Sequence, residues 1–160
     1  MFQVGDYLVY KRDVCIVDEI KENYMNGLDY FVLIPERDSS LKIQIPKDSS
    51  FIRKLITKKD VEKIIQEIPN IGVIEAEDKL LEQEYKKLLN SGLHEDLIKV
   101  IKTTYLRNKK RVENKKKIGD KDNFYLEQAE NDLYGEFGRV LGLSLEETKE
   151  YVIDKVEKLT

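Results

Sequence analysis

The sequence predicts an α+β protein, with a small antiparallel β-barrel over residues 1–56 followed by an α-helical bundle over residues 57–160. Two observations carry that expectation. Up to Ile56 the apolar residues come in short runs or alternate with polar ones, the period of a strand; from Thr57 onward they recur every three to four residues, the period of a helix. Turn and cap residues also fall at the joints between these segments, where each element has to stop.

In the first part, "DYLVY" (6–10) and "VCIVDEI" (14–20) are rich in β-branched and aromatic residues, and "YFVLIP" (30–35) is an apolar run too short for a helix. "LKIQIP" (41–46) alternates strictly, which puts Leu41, Ile43 and Ile45 on one face and Lys42 and Gln44 on the other. Asn26-Gly27 favours a tight turn with positive φ, and "RDSS" (37–40) is a second turn signal. Pro35 and Pro46 end their strands, because proline cannot donate to a ladder. Four or five strands this short close most economically into a strongly bent barrel.

In the second part, Thr57 with Asp60 forms a capping signal for "KKDVEKIIQEI", a helix that Pro69 stops, and "NIGVI" (70–74) reads as a hinge. A helix over 76–90 presents Leu81, Tyr85, Leu88 and Leu89, and Gly92 can take the left-handed cap. The next, over 93–110, carries Leu93, Leu97, Val100, Ile101 and Thr104. A helix over 122–141 carries Leu126, Ala129, Leu133, Phe137 and Val140, with Gly142 closing it. The last starts at Ser144, where "SLEE" is a capping box, and runs through Thr148, Val152, Val156 and Leu159.

Composition limits the function classes. With 41% hydrophobic and 37% charged residues the chain is globular with a wet surface. No apolar run approaches the roughly 18–20 residues that span a bilayer. "MFQVGDYLVY" has neither a basic start nor a long apolar core, so no signal peptide is expected. A lone cysteine, Cys15, fits a reducing compartment, and the expected location is the cytoplasm. Cys15 sits among Val14, Ile16 and Val17 and reads as a buried, inert thiol; His94, the single histidine, reads as a surface residue. One His and one Cys cannot close a zinc site, and neither G-x-G-x-x-G nor a P-loop occurs. The carboxylates interleave with lysines at helical spacing, as surface pairs do. The expectation is a protein that is not an enzyme, with no cofactor, no metal and no small-molecule substrate.

Charge is strongly segregated beneath the net value of −3. Residues 98–117 hold nine basic side chains against one acidic, while the flanking segments 59–97 and 118–160 are acidic. Within this island "RNKKRVENKKK" places Arg107, Lys109, Lys110, Arg111, Lys115, Lys116 and Lys117 close together. One reading is contact with a phosphate backbone, independent of sequence and steeply salt-dependent. The other is a solvated helix end, where lysines also suit the helix dipole.

Several stretches, taken in order, resemble the CarD/CdnL family of bacterial RNA polymerase-binding transcription regulators. "FQVGDYLVY" (2–10) is similar to the family's opening V-G-D-x-x-V-Y; "NG" (26–27) with "YFVL" (30–33) resembles its glycine turn and tyrosine-rich strand; "LKIQIP" resembles its last barrel strand. "KKLLNSG" (86–92) and "YLEQAENDLYGEFGRVLGLSLEE" (125–147) resemble its helical landmarks. The resemblance implies a Tudor-like barrel that binds the RNA polymerase β subunit, and a helical domain that contacts promoter DNA and adjusts open-complex stability. It implies that Asn23, Tyr24, Lys42 and Gln44 lie in the polymerase-binding regions, and it favours DNA for the basic island. Tyr7, Tyr10 and Tyr30 read as barrel core with wet hydroxyls.

The departures are local. Family members wedge a tryptophan into the minor groove, and this chain has none; "EAEDKLLEQEY" stands there, with Glu77 or Asp78 at the wedge position. Asn123 or Phe124 replaces a basic residue before the long helix, and "KRDVC" (11–15) replaces a proline- and glycine-rich turn. Tyr105 and Tyr125 flank the island as possible stand-ins for the wedge. The alternative function is a protein–protein interaction module of the transcription machinery that has lost DNA binding.

Overall fold

A computed structural model describes all residues, Met1–Thr160. The chain is α+β and divides into two compact units, Met1–Ile56 and Thr57–Thr160.

The first unit is a five-stranded sheet of β1 (Tyr7–Tyr10), β2 (Asp13–Met25), β3 (Leu28–Pro35), β4 (Ile43–Pro46) and β5 (Ile52–Arg53). Neighbours are antiparallel in the order β4-β3-β2-β1-β5, which leaves β4 and β5 as the two edges. Alternate residues of β1 to β4 meet in one core: Leu8, Cys15, Val17, Phe31, Leu33 and Ile45. Strand β2 runs well past the expected 14–20. Two irregularities let it do so. Val17 faces Leu33 and Glu19 faces Val32, so Asp18 is an extra residue, a β-bulge. That insertion flips the parity of the strand: Val17 and Ile20, three positions apart, both pack on the core. The second irregularity, between Lys21 and Met25, holds Asn23 at φ 47°, and its N–H donates to Asp29 Oδ1 at 2.8 Å.

Met25 pairs with Leu28, so Asn26-Gly27 is a two-residue hairpin loop, with φ 53° and 75°. Two successive positive φ values suit the twist of the flanking strands, and Asn-Gly tolerates them best. Pro35 and Pro46 are the last residues of β3 and β4. Strand β4 is shorter than "LKIQIP" suggested. Leu41 falls outside it and is exposed, whereas Ile45 is buried and Ile43 half-buried. The Cys15 thiol is fully buried; burial, aided by the nearby Asp13 charge, pushes its pKa up to about 12.

The second unit holds α1 (Lys58–Glu67), a short 3-10 turn (Ile68–Asn70), α2 (Asp78–Ser91), α3 (His94–Glu113), α4 (Asp120–Leu141) and α5 (Leu145–Leu159). Both capping boxes form: Asp60 N–H donates to Thr57 Oγ1 and Glu147 N–H to Ser144 Oγ, each at 3.1 Å. Helix α4 is the hub, lying against α1, α2, α3 and α5. Val61, Leu81, Tyr85, Leu97, Val100, Ala129, Leu133, Phe137 and Val152 form buried stripes at helical spacing. Leu93 does not join them. It is the exposed N-cap of α3, because the chain enters the helix there and its side chain precedes the first buried turn.

Helices α4 and α5 approach closely at Gly138. A Cβ there would come within 2.7 Å of the Leu143 carbonyl oxygen and 2.8 Å of Thr148 Oγ1. Gly→Ala in an exposed helix interior usually stabilises by up to about 1 kcal/mol. Here the backbone oxygen cannot step aside cheaply, so Gly138→Ala is expected to destabilise by roughly 2 kcal/mol, the cost of overpacking. Urea denaturation followed by far-UV circular dichroism checks the sign.

Candidate nucleic-acid interface

The basic island occupies the C-terminal half of α3 and the loop that leads to α4. An α-helix turns 3.6 residues at a time, so the island's members cannot all point the same way. The seven basic residues split into two sets.

Arg107 and Arg111, four residues apart, lie on the side of α3 that faces the bundle and are half-buried. Their common partner is Asp122, in the first turn of α4 and only 4% exposed. Arg107 Nε donates to Asp122 Oδ2 at 2.8 Å, and Arg111 Nη1 donates to the same oxygen at 2.7 Å. The other carboxylate oxygen accepts from the Tyr85 hydroxyl at 2.8 Å, which ties in α2. Arg107 Nη1 also reaches Asp78 at 3.1 Å, in the first turn of α2. Burial raises the Asp122 pKa, but the hydrogen bonds from Arg107, Arg111 and Tyr85 outweigh it and hold the carboxyl below its usual range. Burial, then the hydrogen bond to Asp122 and its charge, lift the Tyr85 phenol above its usual range, so it stays a donor. These two arginines therefore clamp three helices together.

Lys109, Lys110, Lys115, Lys116 and Lys117 form the second set. All five are exposed, and none has a carboxylate within 4.0 Å. The loop that carries the last three is fixed at both ends. At its start, Lys115 takes the left-handed conformation, φ 59°. Its N–H donates to the Val112 carbonyl at 3.0 Å, and the Lys116 N–H donates to the Arg111 carbonyl at 2.8 Å, the two bonds of a Schellman cap. At its end, Asn108 Oδ1 accepts from the Gly119 N–H at 2.9 Å and from Arg111 Nη1 at 2.6 Å. Gly119 leaves room for the guanidinium: a Cβ would lie 2.5 Å from Arg111 Nη1.

Glycine is the usual residue at this cap position, since a Cβ makes the left-handed conformation costly. Lys115→Gly is expected to raise stability by about 1 kcal/mol, read as a higher midpoint in urea. Lys115→Ala should leave it unchanged, because alanine meets the same steric cost.

Other basic side chains near the island are tied into the fold. Lys102 is half-buried on α3; its Nζ donates to the carbonyls of Ile68 and Ile71, the latter at 2.6 Å, and burial lowers its pKa. Of the residues at the expected wedge position, Glu77 is the exposed N-cap of α2, paired with Lys79 at 3.4 Å, and Asp78 meets Arg107. Phe124 is exposed. Tyr125, a possible stand-in for the wedge, is buried instead, with its hydroxyl donating to Glu82 Oε2 at 3.1 Å. Helix α4 turns it towards α2, where its ring packs 5.3 Å from that of Tyr85. Tyr105 remains exposed.

His94 also departs from expectation. It begins α3, but its side chain turns inward: Nε2 lies 2.8 Å from Oε1 of buried Glu136, and the ring stacks on Phe137. The buried carboxylate on α4 needs a partner, and the start of α3 supplies one that lies 42 residues away in sequence.

In the sheet unit, the four expected polymerase-facing residues are all exposed. Gln44 lies on edge strand β4 opposite Val32 of β3, and Lys42 just precedes it, its Nζ 3.9 Å from Asp18. Asn23 and Tyr24 lie near the hairpin tip, where the Tyr24 ring meets Tyr30 edge-on and carries Lys21 Nζ at 4.4 Å. Tyr7, Tyr10 and Tyr30 are half-buried.

No protein-family model matches the chain, and no curated protein matches it.

Proposed function

We propose that this chain is a divergent CarD/CdnL-type transcription regulator. The sheet unit is a Tudor-like barrel that docks on the RNA polymerase β subunit. The helical unit contacts promoter DNA through its backbone, in any sequence, and shifts the stability of the open complex. No chemistry is done by the protein. Function comes from tethering: polymerase binding raises the local concentration of a weak DNA contact.

One observation carries the DNA half of this reading. Five lysines stand exposed and without carboxylate partners, two at the end of α3 and three on the following loop, which is pinned at both ends, in a chain that is acidic overall. Preordered positive charge of this kind suits phosphate contact. The polymerase half rests on the ordered sequence resemblance in residues 2–46. An open edge at β4, with Lys42 and Gln44 exposed beside it, is compatible with strand addition and ion pairing to a partner.

The acidic start of α2 favours a second reading, a protein-interaction module without DNA binding. Glu77 and Asp78 stand where the resemblance places the wedge, and a carboxylate there repels phosphate. Two measurements with the full-length chain decide between the readings. Co-purification with the β subunit is expected, and Lys42→Glu with Gln44→Glu should abolish it. Duplex DNA binding at low salt is expected to weaken steeply as salt rises. Polymerase binding without DNA binding selects the interaction module; failure of both sinks the proposal.

A further inference from the structure

The outward face of α3 carries more than charge. Tyr105, Lys109 and Val112 fall at positions i, i+4 and i+7, one stripe of the helix on the side away from α4. Tyr105 is 57% exposed and Val112 59%. The Tyr105 ring packs against no other ring or cation, and its hydroxyl makes no hydrogen bond. Tyr85, Tyr125 and Tyr151 of the same unit each place their hydroxyl on a carboxylate. An aromatic side chain left open beside unpaired lysines is a poor solution for stability alone.

We infer that Tyr105 is a stacking platform for an unpaired base, and that the α3 stripe with Lys115–Lys117 binds single-stranded DNA in preference to duplex. This rests on the DNA half of the proposed function and names its substrate form. Charge identifies the occupant. Lys109 lies one turn from Tyr105 on the stripe, three more lysines follow the helix end, and Glu113 is the one carboxylate among residues 98–117. Helical rise places Tyr105 about 12 Å along the axis from the end of α3 at Glu113, enough for a strand to lay a phosphate against Lys109 and pass on to the lysines beyond the helix end while one base rests on the ring. Stacking on an aromatic is open to any base, because each has a π-face, but only an unpaired strand can turn a base outwards. A duplex can use the lysines and cannot use the ring.

The test is a titration of the full-length protein against a fluorescein-labelled oligo-dT and a duplex of the same length, read by anisotropy at low salt. Oligo-dT is expected to bind more tightly. Tyr105→Ala should weaken oligo-dT binding about tenfold and leave duplex binding and the salt dependence of both unchanged. Tyr105→Phe should restore it, since the ring and not the hydroxyl does the stacking. Equal affinity for the two probes, or a Tyr105→Ala variant that binds oligo-dT normally, overturns the stacking role and leaves the lysine contact standing. Absence of binding to either probe overturns both. Circular dichroism separates these outcomes from misfolding, which an exposed side chain should not cause.

Discussion

Asp122→Ala is expected to cost the helical unit about 3 kcal/mol of stability, a large part of what a domain of this size has. The alanine removes the one carboxylate on which Arg107, Arg111 and Tyr85 converge. Removing one side of a buried pair typically costs about 3–5 kcal/mol, because the partners stay desolvated. The lower end applies, since both arginines keep 27–29% of their side-chain surface in water and Arg107 retains Asp78. Urea denaturation followed by circular dichroism measures the loss. Asp122→Asn should fall between the two proteins: one amide oxygen can still accept, but the charge is gone.

The same carboxyl gives a pH signature. Its folded pKa lies below the unfolded value of about 4, so its stabilisation is fully present above that pH. It is lost as pH falls through the folded pKa, because protonation then breaks the arginine contacts. Asp122→Asn should flatten the acid limb of the stability profile below about pH 4 and leave the neutral region offset but parallel. An unchanged acid limb would mean that other carboxyls set it.

Replacing Lys109, Lys110, Lys115, Lys116 and Lys117 together by alanine is expected to weaken DNA binding at low salt by roughly two orders of magnitude. Each phosphate contact contributes about 0.9 to the slope of log affinity against log salt, so losing five should reduce its steepness by up to about 4.5. Folding should be unaffected, because none of the five has an ion-pair partner to lose and their mutual repulsion disappears. Arg107→Ala with Arg111→Ala should behave the opposite way, with a large loss of stability. Those two charges are already neutralised inside the bundle, so any effect on DNA should follow from unfolding. If the five-lysine variant kept full affinity and slope, the island would be only a solvated helix end.

The division between these two sets shows what the sequence could and could not reveal. The Asn26-Gly27 turn, the Thr57 and Ser144 capping boxes, and the proline ends of β3 and β4 were legible because each is a local interaction over four residues or fewer. The buried stripes were legible because helical period fixes which residues share a face. Asp122 was not: it reads as one more acidic residue in a helix start, and its role depends on two arginines 11 and 15 residues away and a tyrosine 37 away. The i, i+4 spacing of Arg107 and Arg111 was the available signal, since it puts both on the inward face of α3. The His94–Glu136 pair was hidden for the same reason of distance. Lys115 was hidden differently, because its left-handed backbone is imposed by a loop that must turn back to α4. The length of β2 was underestimated because a bulge breaks the alternation by which strands are recognised.

Cys15 lies in the centre of the first sheet with no exposed surface and a thiol pushed up to about 12. As the single thiol of the chain, it makes the protein carry its own stopwatch. A maleimide or disulfide reagent can reach it only when the strands part, so the rate of modification reports how often the sheet half opens and is blind to the helices. Ligands that grip the sheet should slow that rate in proportion to their occupancy, giving a readout of docking that needs no engineered label.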